Sequence, residues 1–190
     1  MAQYTRRAIM QSYLRLVRQK PLDKLTVKDI VEDCEITRNT FYYHFQDIYD
    51  LTAEVFRSEF AGLLRSGGES IGWWDTVRAI ACFAQNNRAA VLHVFRSARR
   101  DELLRVFEAS SQEYIVELLR KRPDAAGVPE EDLQVLARVL RCAVAGLAQE
   151  WLNKGMKEDP TPTLDRMERM FGDLVAQALA NAAQPVQETE

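Results

Sequence analysis

An all-α fold is predicted for this chain of 190 residues by its hydrophobic periodicity. Apolar residues recur at spacings of three and four, as in amphipathic helices, and no stretch shows the two-residue alternation of strands. Hydrophobic residues make up 47% of the chain, which is enough to bury a substantial core. We expect a three-helix head in residues 1–50, a larger helical bundle in residues 51–183 and a disordered tail in residues 184–190.

The first two helices of the head follow from one apolar stripe and one capping pattern. The stripe along residues 5–20 predicts a helix that ends before Pro21. A second helix begins after Thr26, because Thr26 and Asp29 have the spacing of a capping box. It ends near Cys34, three residues before the next helix, which is the turn length of a helix-turn-helix.

The third helix, in residues 37–45, carries the most informative run of the sequence. Phe41 and Phe45 lie four residues apart and are expected to be buried against the head, which leaves polar and aromatic side chains on the other face. A helix of this kind enters the major groove of DNA with its N-terminal residues at the base edges. The residues expected to contact DNA are Thr26, Thr37, Arg38, Asn39, Thr40, Tyr42, Tyr43 and His44.

These residues are expected to divide between base contacts and phosphate contacts. Arg38 is assigned to guanine and Asn39 to adenine, because each side chain can form two hydrogen bonds with that base. Tyr43 is assigned either to a thymine methyl group or to the backbone, and the other members to phosphate oxygens. The N-terminal segment is basic, so Arg6 and Arg7 are expected to add phosphate contacts.

The order of these residues resembles the N-terminal DNA-binding domain of the TetR family of transcriptional regulators. The resemblance covers residues 5–56 and rests on segments 25–30, 37–45 and 47–51. In the second of these segments the family's order of cap, Thr, apolar residue, Tyr, aromatic residue, His and Phe is matched position by position. The resemblance implies a helix-turn-helix head joined to a helical effector domain.

Two positions depart from the family's pattern. Glu35 stands where the turn before the third helix usually has Gly, which tolerates a positive φ; either this turn is strained or Glu35 avoids that conformation. Ile48 stands where a phosphate-binding Lys is often found. Without that Lys, the fourth helix would have only the backbone N–H groups of its first turn to offer a phosphate.

Two apolar helices close the sequence and are expected to form a dimer interface. One extends from Leu133 to Trp151 and the other from Leu164 to Ala178. Each has a broader apolar face than one intramolecular contact needs, and small residues such as Gly146 permit close approach. We expect a four-helix interface between two copies, since two-fold DNA sites call for a two-fold protein. The alternative is that both faces fill the core of one subunit.

The bundle is also where a regulator of this class would hold an effector, expected here to be a small apolar or amphipathic molecule. Large aromatic residues with a few polar groups are expected to line an apolar cavity. Each aromatic residue taken alone is more often part of a core. The candidate pocket residues are Phe83, Phe95, Phe107, Tyr114, Arg141 and Trp151.

Other classes of function find little support. The sequence has neither a glycine-rich phosphate loop nor a serine nucleophile between glycines, and His44 and His93 lack Cys or His partners at metal-ligand spacing. No catalytic residue, metal or cofactor is therefore expected. The cysteines Cys34, Cys82 and Cys142 are odd in number, as in a protein of the reducing cytoplasm, and no apolar run approaches membrane-spanning length.

The sequence therefore predicts a cytoplasmic transcriptional regulator that binds a double-stranded DNA operator, most simply a repressor released by a small-molecule effector. One alternative is an architectural or protein-responsive DNA-binding regulator without such an effector. A second alternative is a helical interaction module that does not bind DNA.

Overall fold

The computed structural model describes residues 2–66 and 72–184, and within these ranges the chain is helical and has no strand. The α-helices in chain order are α1 (Ala2–Gln19), α2 (Val27–Asp33), α3 (Arg38–His44), α4 (Ile48–Ser66), α5 (Trp73–Asn86), α6 (Arg88–Phe95), α7 (Arg100–Arg120), α8 (Glu130–Asn153), α9 (Thr161–Phe171) and α10 (Leu174–Ala182). The all-α fold predicted from the sequence is confirmed. Across the described helices, none is both long enough and apolar enough to cross a membrane.

The described residues form two compact units that do not follow the order of the chain. The first unit contains residues 2–66 and 82–107, and the second contains residues 72–81 and 108–184. Helices α5 and α7 each continue from one unit into the other. The first unit thus includes α6 as well as the helices of the head. The predicted boundary at residue 50 stays a prediction, and the predicted tail, apart from Gln184, lies outside the described residues.

The core of the first unit is built from the apolar stripe of α1 and the side chains that pack on it. Ile9, Tyr13 and Val17 recur every four residues along α1 and are all buried. They belong to one cluster with Ile30 of α2 and Phe41 of α3. Burying one such side chain contributes roughly 1.5–3 kcal/mol, so this stripe accounts for much of the cohesion of the head.

Helix α6 packs against α1 through polar contacts as well as apolar ones. The Nδ1 atom of His93 lies 2.7 Å from the carbonyl oxygen of Val17. At the start of α6, Nη2 of Arg18 donates to Oδ1 of Asn87 at 2.7 Å. His93 is therefore engaged with α1, in agreement with a structural role for this side chain.

The second unit has its own core, formed by α5, α7, α8 and α10. Its buried members include Val77, Leu119, Ala137 and Leu179, one from each of these helices. Helix α9 has no buried residue and is held differently. Arg78 of α5 donates to two carboxylates of α9, Asp165 at 2.5 Å and Glu168 at 2.6 Å, while Leu164 packs partly buried on the core.

One predicted helix is wrong in its continuity. The sequence predicted a single closing helix from Leu164 to Ala178, but α9 ends at Phe171 and α10 begins at Leu174. Gly172 lies at the break, where a Cβ atom would be only 2.7 Å from the carbonyl oxygen of Glu168. Glycine also has a low helix propensity, which favours an interruption of the helix at this position. The apolar periodicity continues across the interruption and therefore did not predict it.

The turn between α2 and α3 settles the question raised by Glu35. This residue has a φ of 54°, in the left-handed region that favours glycine. Its N–H donates to the carbonyl of Glu32 at 3.3 Å, and the N–H of Ile36 donates to the carbonyl of Val31 at 3.0 Å. Those two bonds are the pattern of a Schellman motif. The turn therefore keeps the glycine-type conformation although its residue is Glu.

We expect Glu35→Gly to stabilise the protein by about 0.5–1 kcal/mol. The left-handed conformation costs a residue with a Cβ about 1–2 kcal/mol, and the greater unfolded-state entropy of glycine offsets part of that gain. Urea unfolding of both proteins measures the difference. The matched control is Glu32→Gly, which lies within α2 and should cost about 1 kcal/mol. Equal destabilisation by both changes would contradict the assignment of strain to Glu35.

Candidate nucleic-acid interface

Helix α3 has one buried face and one exposed face. Phe41 is 0% exposed and Phe45 immediately after the helix is 3% exposed, which confirms the two apolar anchors predicted from the sequence. On the other side Tyr42 is 54% and Tyr43 is 78% exposed. Their neighbours one turn earlier, Arg38 and Asn39, are also exposed, whereas Thr40 and His44 are partly buried. The exposed surface thus has the composition of a DNA-reading face.

The start of α3 is fixed by its own side chains. The Oγ1 atom of Thr37 accepts the N–H of Thr40 at 3.2 Å, which confirms the predicted cap. The two hydroxyl oxygens of these threonines lie 2.9 Å apart and share a hydrogen bond. Tyr42 packs edge-on against the buried Phe41, with ring centroids 5.5 Å apart. Several side chains of this face are therefore held in place before any ligand arrives.

The capping box of α2 is present and uses the hydroxyl of Thr26 internally. Thr26 Oγ1 donates to Oδ2 of Asp29 at 2.7 Å and accepts the Asp29 N–H at 3.2 Å. The same carboxylate oxygen lies 2.6 Å from Nζ of Lys20. The Lys20 ammonium and the Thr26 hydroxyl lower the pKa of Asp29 to about 2. A phosphate contact by Thr26 must therefore replace its bond to Asp29.

Most cations of the basic N-terminal segment have partners within the protein. Arg6 pairs with Glu54 and its guanidinium lies over the ring of Phe45, 5.5 Å from the centroid. The other paired cations and their partners are Arg15 with Asp33, Arg18 with Asn87 and Lys20 with Asp29. Among the described contacts Arg7 has no ion pair. Of the two arginines expected to contact phosphate, Arg7 is thus the available one and Arg6 is engaged in the fold.

The start of α4 is acidic, and its backbone N–H groups are partly occupied. Oδ1 of Asp47 accepts the N–H of Asp50 at 2.8 Å, and Oδ2 of Asp50 accepts the N–H of Gln46 at 3.0 Å. Ile48 is buried in the core. The sequence argument left this helix end with its N–H groups as the sole phosphate ligands. One of them, that of Asp50, is already bound by Asp47, and a phosphate at this helix end would lie beside the carboxylates of Asp47 and Asp50.

Arg99, in the turn between α6 and α7, approaches this acidic helix end. Its Nη1 atom donates to Oδ2 of Asp47 at 3.0 Å, and its guanidinium lies 4.1 Å from the ring centroid of Tyr49. Burial opposes ionisation of Asp47, but bonds from the Asp50 N–H and from Arg99 outweigh it, so its pKa lies below the usual range. Sequence reasoning did not find this pair, because its members are 52 residues apart.

The candidate effector residues are divided between the two units. Phe83, Phe95 and Phe107 belong to the first unit. Phe95 lies under the guanidinium of Arg100, 5.2 Å from the ring centroid, and Phe107 packs edge-on against Phe56 at 5.8 Å. These contacts are those of packed interior side chains.

The other three candidates, Tyr114, Arg141 and Trp151, belong to the second unit. Burial raises the pKa of Tyr114, which is hydrogen-bonded to Thr76. Arg141 Nε donates to Gln112 Oε1 at 3.3 Å, and Trp151 Nε1 donates to the carbonyl of Glu158 at 2.8 Å. A pocket that draws on all six candidates stays a prediction.

Helix α8 has an exposed apolar stripe on the side opposite its buried residues. Val135 and Val139 are each 57% exposed. Cys142 and Gly146 continue the same stripe at spacings of three and four residues and are also exposed. Leu147 is 42% exposed but lies seven residues after the buried Leu140, at the edge of the buried face. An exposed apolar stripe of this kind is a candidate surface for another protein chain.

Comparison with known families agrees with the class of protein that this architecture defines, a helix-turn-helix regulator with a helical second domain. A family described as "Bacterial regulatory proteins, tetR family" matches residues 9–55. A second, described as "Transcriptional regulator C-terminal region", matches residues 72–173, which is over half of the chain. The protein belongs to the TetR family of DNA-binding transcriptional regulators, as the resemblance in its sequence indicated.

Similar individual proteins are regulators as well. The chain is 24% identical over 91 residues to the HTH-type dhaKLM operon transcriptional activator DhaS of Lactococcus lactis subsp. lactis, a match that spans 48% of this chain and 49% of that protein. The chain thus matches about half the length of this relative.

Two solved structures are similar in fold. The dihydroxyacetone kinase operon activator DhaS gives a TM-score of 0.67 at 16% identity, over 95% of this chain and 98% of that one. Native NalD, the secondary repressor of the MexAB-OprM multidrug efflux pump in Pseudomonas aeruginosa, gives 0.52 at 18% identity, over 90% and 97%. At these identities the likeness concerns the fold alone.

We expect Asp29→Asn to destabilise the head in a pH-dependent way. Because the folded-state pKa is lowered, the carboxylate contributes stability above its ordinary pKa of 3.8 and loses that contribution as the pH falls through about 2. The stability gap between wild type and variant should therefore be largest above about pH 4 and close towards pH 2, as measured by urea unfolding. In a Lys20→Met background, the difference in unfolding free energy caused by Asp29→Asn should be smaller. A difference that does not change with pH would contradict the lowered pKa assigned to Asp29.

Proposed function

We propose that this regulator binds its operator as a homodimer and reads it with the exposed face of α3. The observation that carries the proposal is the complete burial of Phe41, because it leaves Arg38, Asn39, Tyr42 and Tyr43 on the solvent side of the same short helix. In helix-turn-helix proteins the reading helix lies in the major groove, with its N-terminal residues against the base edges.

The residues of this face take different roles in the proposal. Arg38 and Asn39 have no described partner in the protein, so their donors are available for guanine and adenine edges. Tyr43 contacts a thymine methyl group or the backbone. Other side chains position the protein along the DNA by hydrogen bonds to phosphate oxygens. They are Thr26, Thr37, Thr40, Tyr42 and His44.

The dimer interface is proposed to include the exposed stripe of α8, with the closing helices beside it. Val135 and Val139 supply apolar area, and the small residues Cys142 and Gly146 of the same stripe allow two copies of the helix to approach closely. Met170, Phe171 and Leu174, at the break between α9 and α10, are exposed too and would extend the surface. A two-fold axis through this interface pairs the two heads with the half-sites of a palindromic operator.

We further propose that the protein represses transcription in the cytoplasm and that a small apolar or amphipathic effector, bound in the bundle, releases it from the operator. The supporting argument is geometric, since two heads must match major grooves about 34–36 Å apart and a small change in their separation weakens both contacts. The candidate lining residues are those named in the sequence analysis.

Activation is the second candidate function, favoured by the name of the relative DhaS, an operon activator. A DNA-binding regulator that responds to another protein instead of a small molecule also remains an alternative. A reporter gene can be placed under the promoter region upstream of the gene that encodes this protein. Lower reporter expression in the presence of the protein indicates repression, and higher expression indicates activation. Addition of candidate small molecules to the same reporter then separates effector control from control by a protein.

Arg38→Ala should weaken operator binding by roughly 1–3 kcal/mol and relax the preference at one base pair, because it removes a base-edge contact. Tyr42→Phe should weaken all sequences alike, because it removes one hydroxyl that contacts phosphate. Fluorescence anisotropy with the preferred duplex and its single-base variants measures both. Arg105→Ala, at an exposed arginine of α7 outside the proposed reading face and dimer interface, is the control and should bind normally. Wild-type binding by both head variants would show that the reading face is assigned wrongly.

Val139→Glu should convert the protein to a monomer, because it places a carboxylate in the middle of the proposed α8 interface. Sedimentation at micromolar concentration measures the change. Tyr4→Glu, at an 83% exposed aromatic residue of α1, is the control and should remain a dimer. A wild-type protein that is already monomeric, or a Val139→Glu dimer, is inconsistent with this interface.

A further inference from the structure

A polar cluster joins the head to the turn between α6 and α7. Asp23 accepts the backbone N–H of Ala98 with both carboxylate oxygens, at 3.1 and 3.0 Å, and its Oδ1 accepts the Tyr49 hydroxyl at 3.0 Å. Arg99 lies against the ring of Tyr49 and donates to Asp47 at 3.0 Å. These five residues all belong to the first unit.

Asp47 lies close to the reading helix along the chain. It follows His44, the last residue of α3, by three positions, a stretch of chain that spans at most about 10 Å. At physiological salt a charge acts over a screening length of about 8 Å. If α3 lies in the major groove, as proposed above, an uncompensated carboxylate at Asp47 repels the phosphates that flank the groove.

We propose that Arg99 controls the affinity for DNA by neutralising Asp47. With Arg99 in place, a positive charge 3.0 Å from the Asp47 carboxylate offsets part of its repulsion of the flanking phosphates; without Arg99, the carboxylate opposes their approach more strongly. Arg99 is in this view a positioning residue that acts through Asp47 and does not itself contact DNA. The inference rests on the proposed function and adds a charge-based route for regulation at the same interface.

A second carboxylate makes the arrangement switchable. Arg99 also forms two hydrogen bonds with Glu102, Nη2 to Oε1 at 2.6 Å and Nε to Oε2 at 2.7 Å. Glu102 is in the first turn of α7, so it moves with Arg99, whereas Asp47 belongs to the head. A displacement of the start of α7 therefore breaks the bond to Asp47 and leaves the bonds to Glu102 intact. Helix α7 itself continues beyond residue 107 into the second unit.

The test compares charge variants of the full-length protein on one DNA probe. The probe is a duplex enriched by the wild-type protein from a random library, and affinity is measured by fluorescence anisotropy at two salt concentrations. Arg99→Gln should bind about three- to tenfold more weakly, and the loss should be greater at low salt. Asp47→Asn and the double variant should bind at least as tightly as wild type. Asn is as good a helix cap as Asp, so Asp47→Asn should fold normally.

Two controls separate this effect from general charge or folding. Arg105→Gln removes a charge from an exposed arginine of α7 that has no described ion pair, and it should bind as wild type. Arg99→Lys retains the charge and should stay near wild-type affinity. Thermal unfolding of every variant detects loss of structure.

The remaining outcomes overturn the inference. Wild-type affinity of Arg99→Gln would show that the pair has no influence on binding. A double variant as weak as Arg99→Gln would mean that Arg99 contacts phosphate or supports the fold. If Arg99→Gln does not fold, the affinity of Asp47→Asn tests the proposal by itself. Binding at least as tight as that of the wild type supports the proposal, and weaker binding contradicts it. If the wild-type protein enriches no duplex, the proposed function itself is wrong and this inference falls with it.

Discussion

The burial of Phe41 and Phe45 fixes how α3 is turned about its axis, and the proposed DNA-reading surface depends on that orientation. Helix α3 has seven residues, which is too short to be stable in isolation. Its position comes from packing, with Phe41 in the core of the head and the Arg6 guanidinium over the ring of Phe45. Rotation of α3 by one residue would move Tyr42 inward and expose Phe41, at the cost of a buried aromatic side chain.

Helix caps fix the starts of α2 and α3, and a hydrogen-bonded turn joins the two helices. Thr37 closes the start of α3, and the capping box between Thr26 and Asp29 closes the start of α2. Between the two helices the chain accepts a left-handed conformation at Glu35 because both bonds of the Schellman motif depend on it. The strain at this one residue is small compared with the packing that it permits, so the turn survives without glycine.

Sequence reasoning succeeded where the interacting groups are close along the chain. The caps and the anchors of α3 involve residues three or four positions apart, and their spacing alone identifies them. For the turn at Glu35 the resemblance to the family left two conformations open, and the structure decides between them. It failed for pairs that the fold brings together from a distance, such as His93 with Val17 and Arg99 with Asp47, which are 76 and 52 residues apart. Periodicity shows which face of a helix is apolar, but not which helix covers it. For the same reason one periodic pattern concealed the break at Gly172.

Most cations at the start of the head are engaged in contacts within the protein. Four of its N-terminal cations, including Arg6 and Arg15, are engaged with side chains of the protein, and the whole chain carries a net charge of −3. If the head binds DNA as proposed, fewer of its cations are free to neutralise phosphates, and the sequence-independent part of the affinity falls with that number. The proposed complex would then depend more on base-edge contacts and on the pairing of two heads. In the same proposal, a carboxylate beside α3, such as Asp47, has more influence because there is less electrostatic attraction to offset its charge.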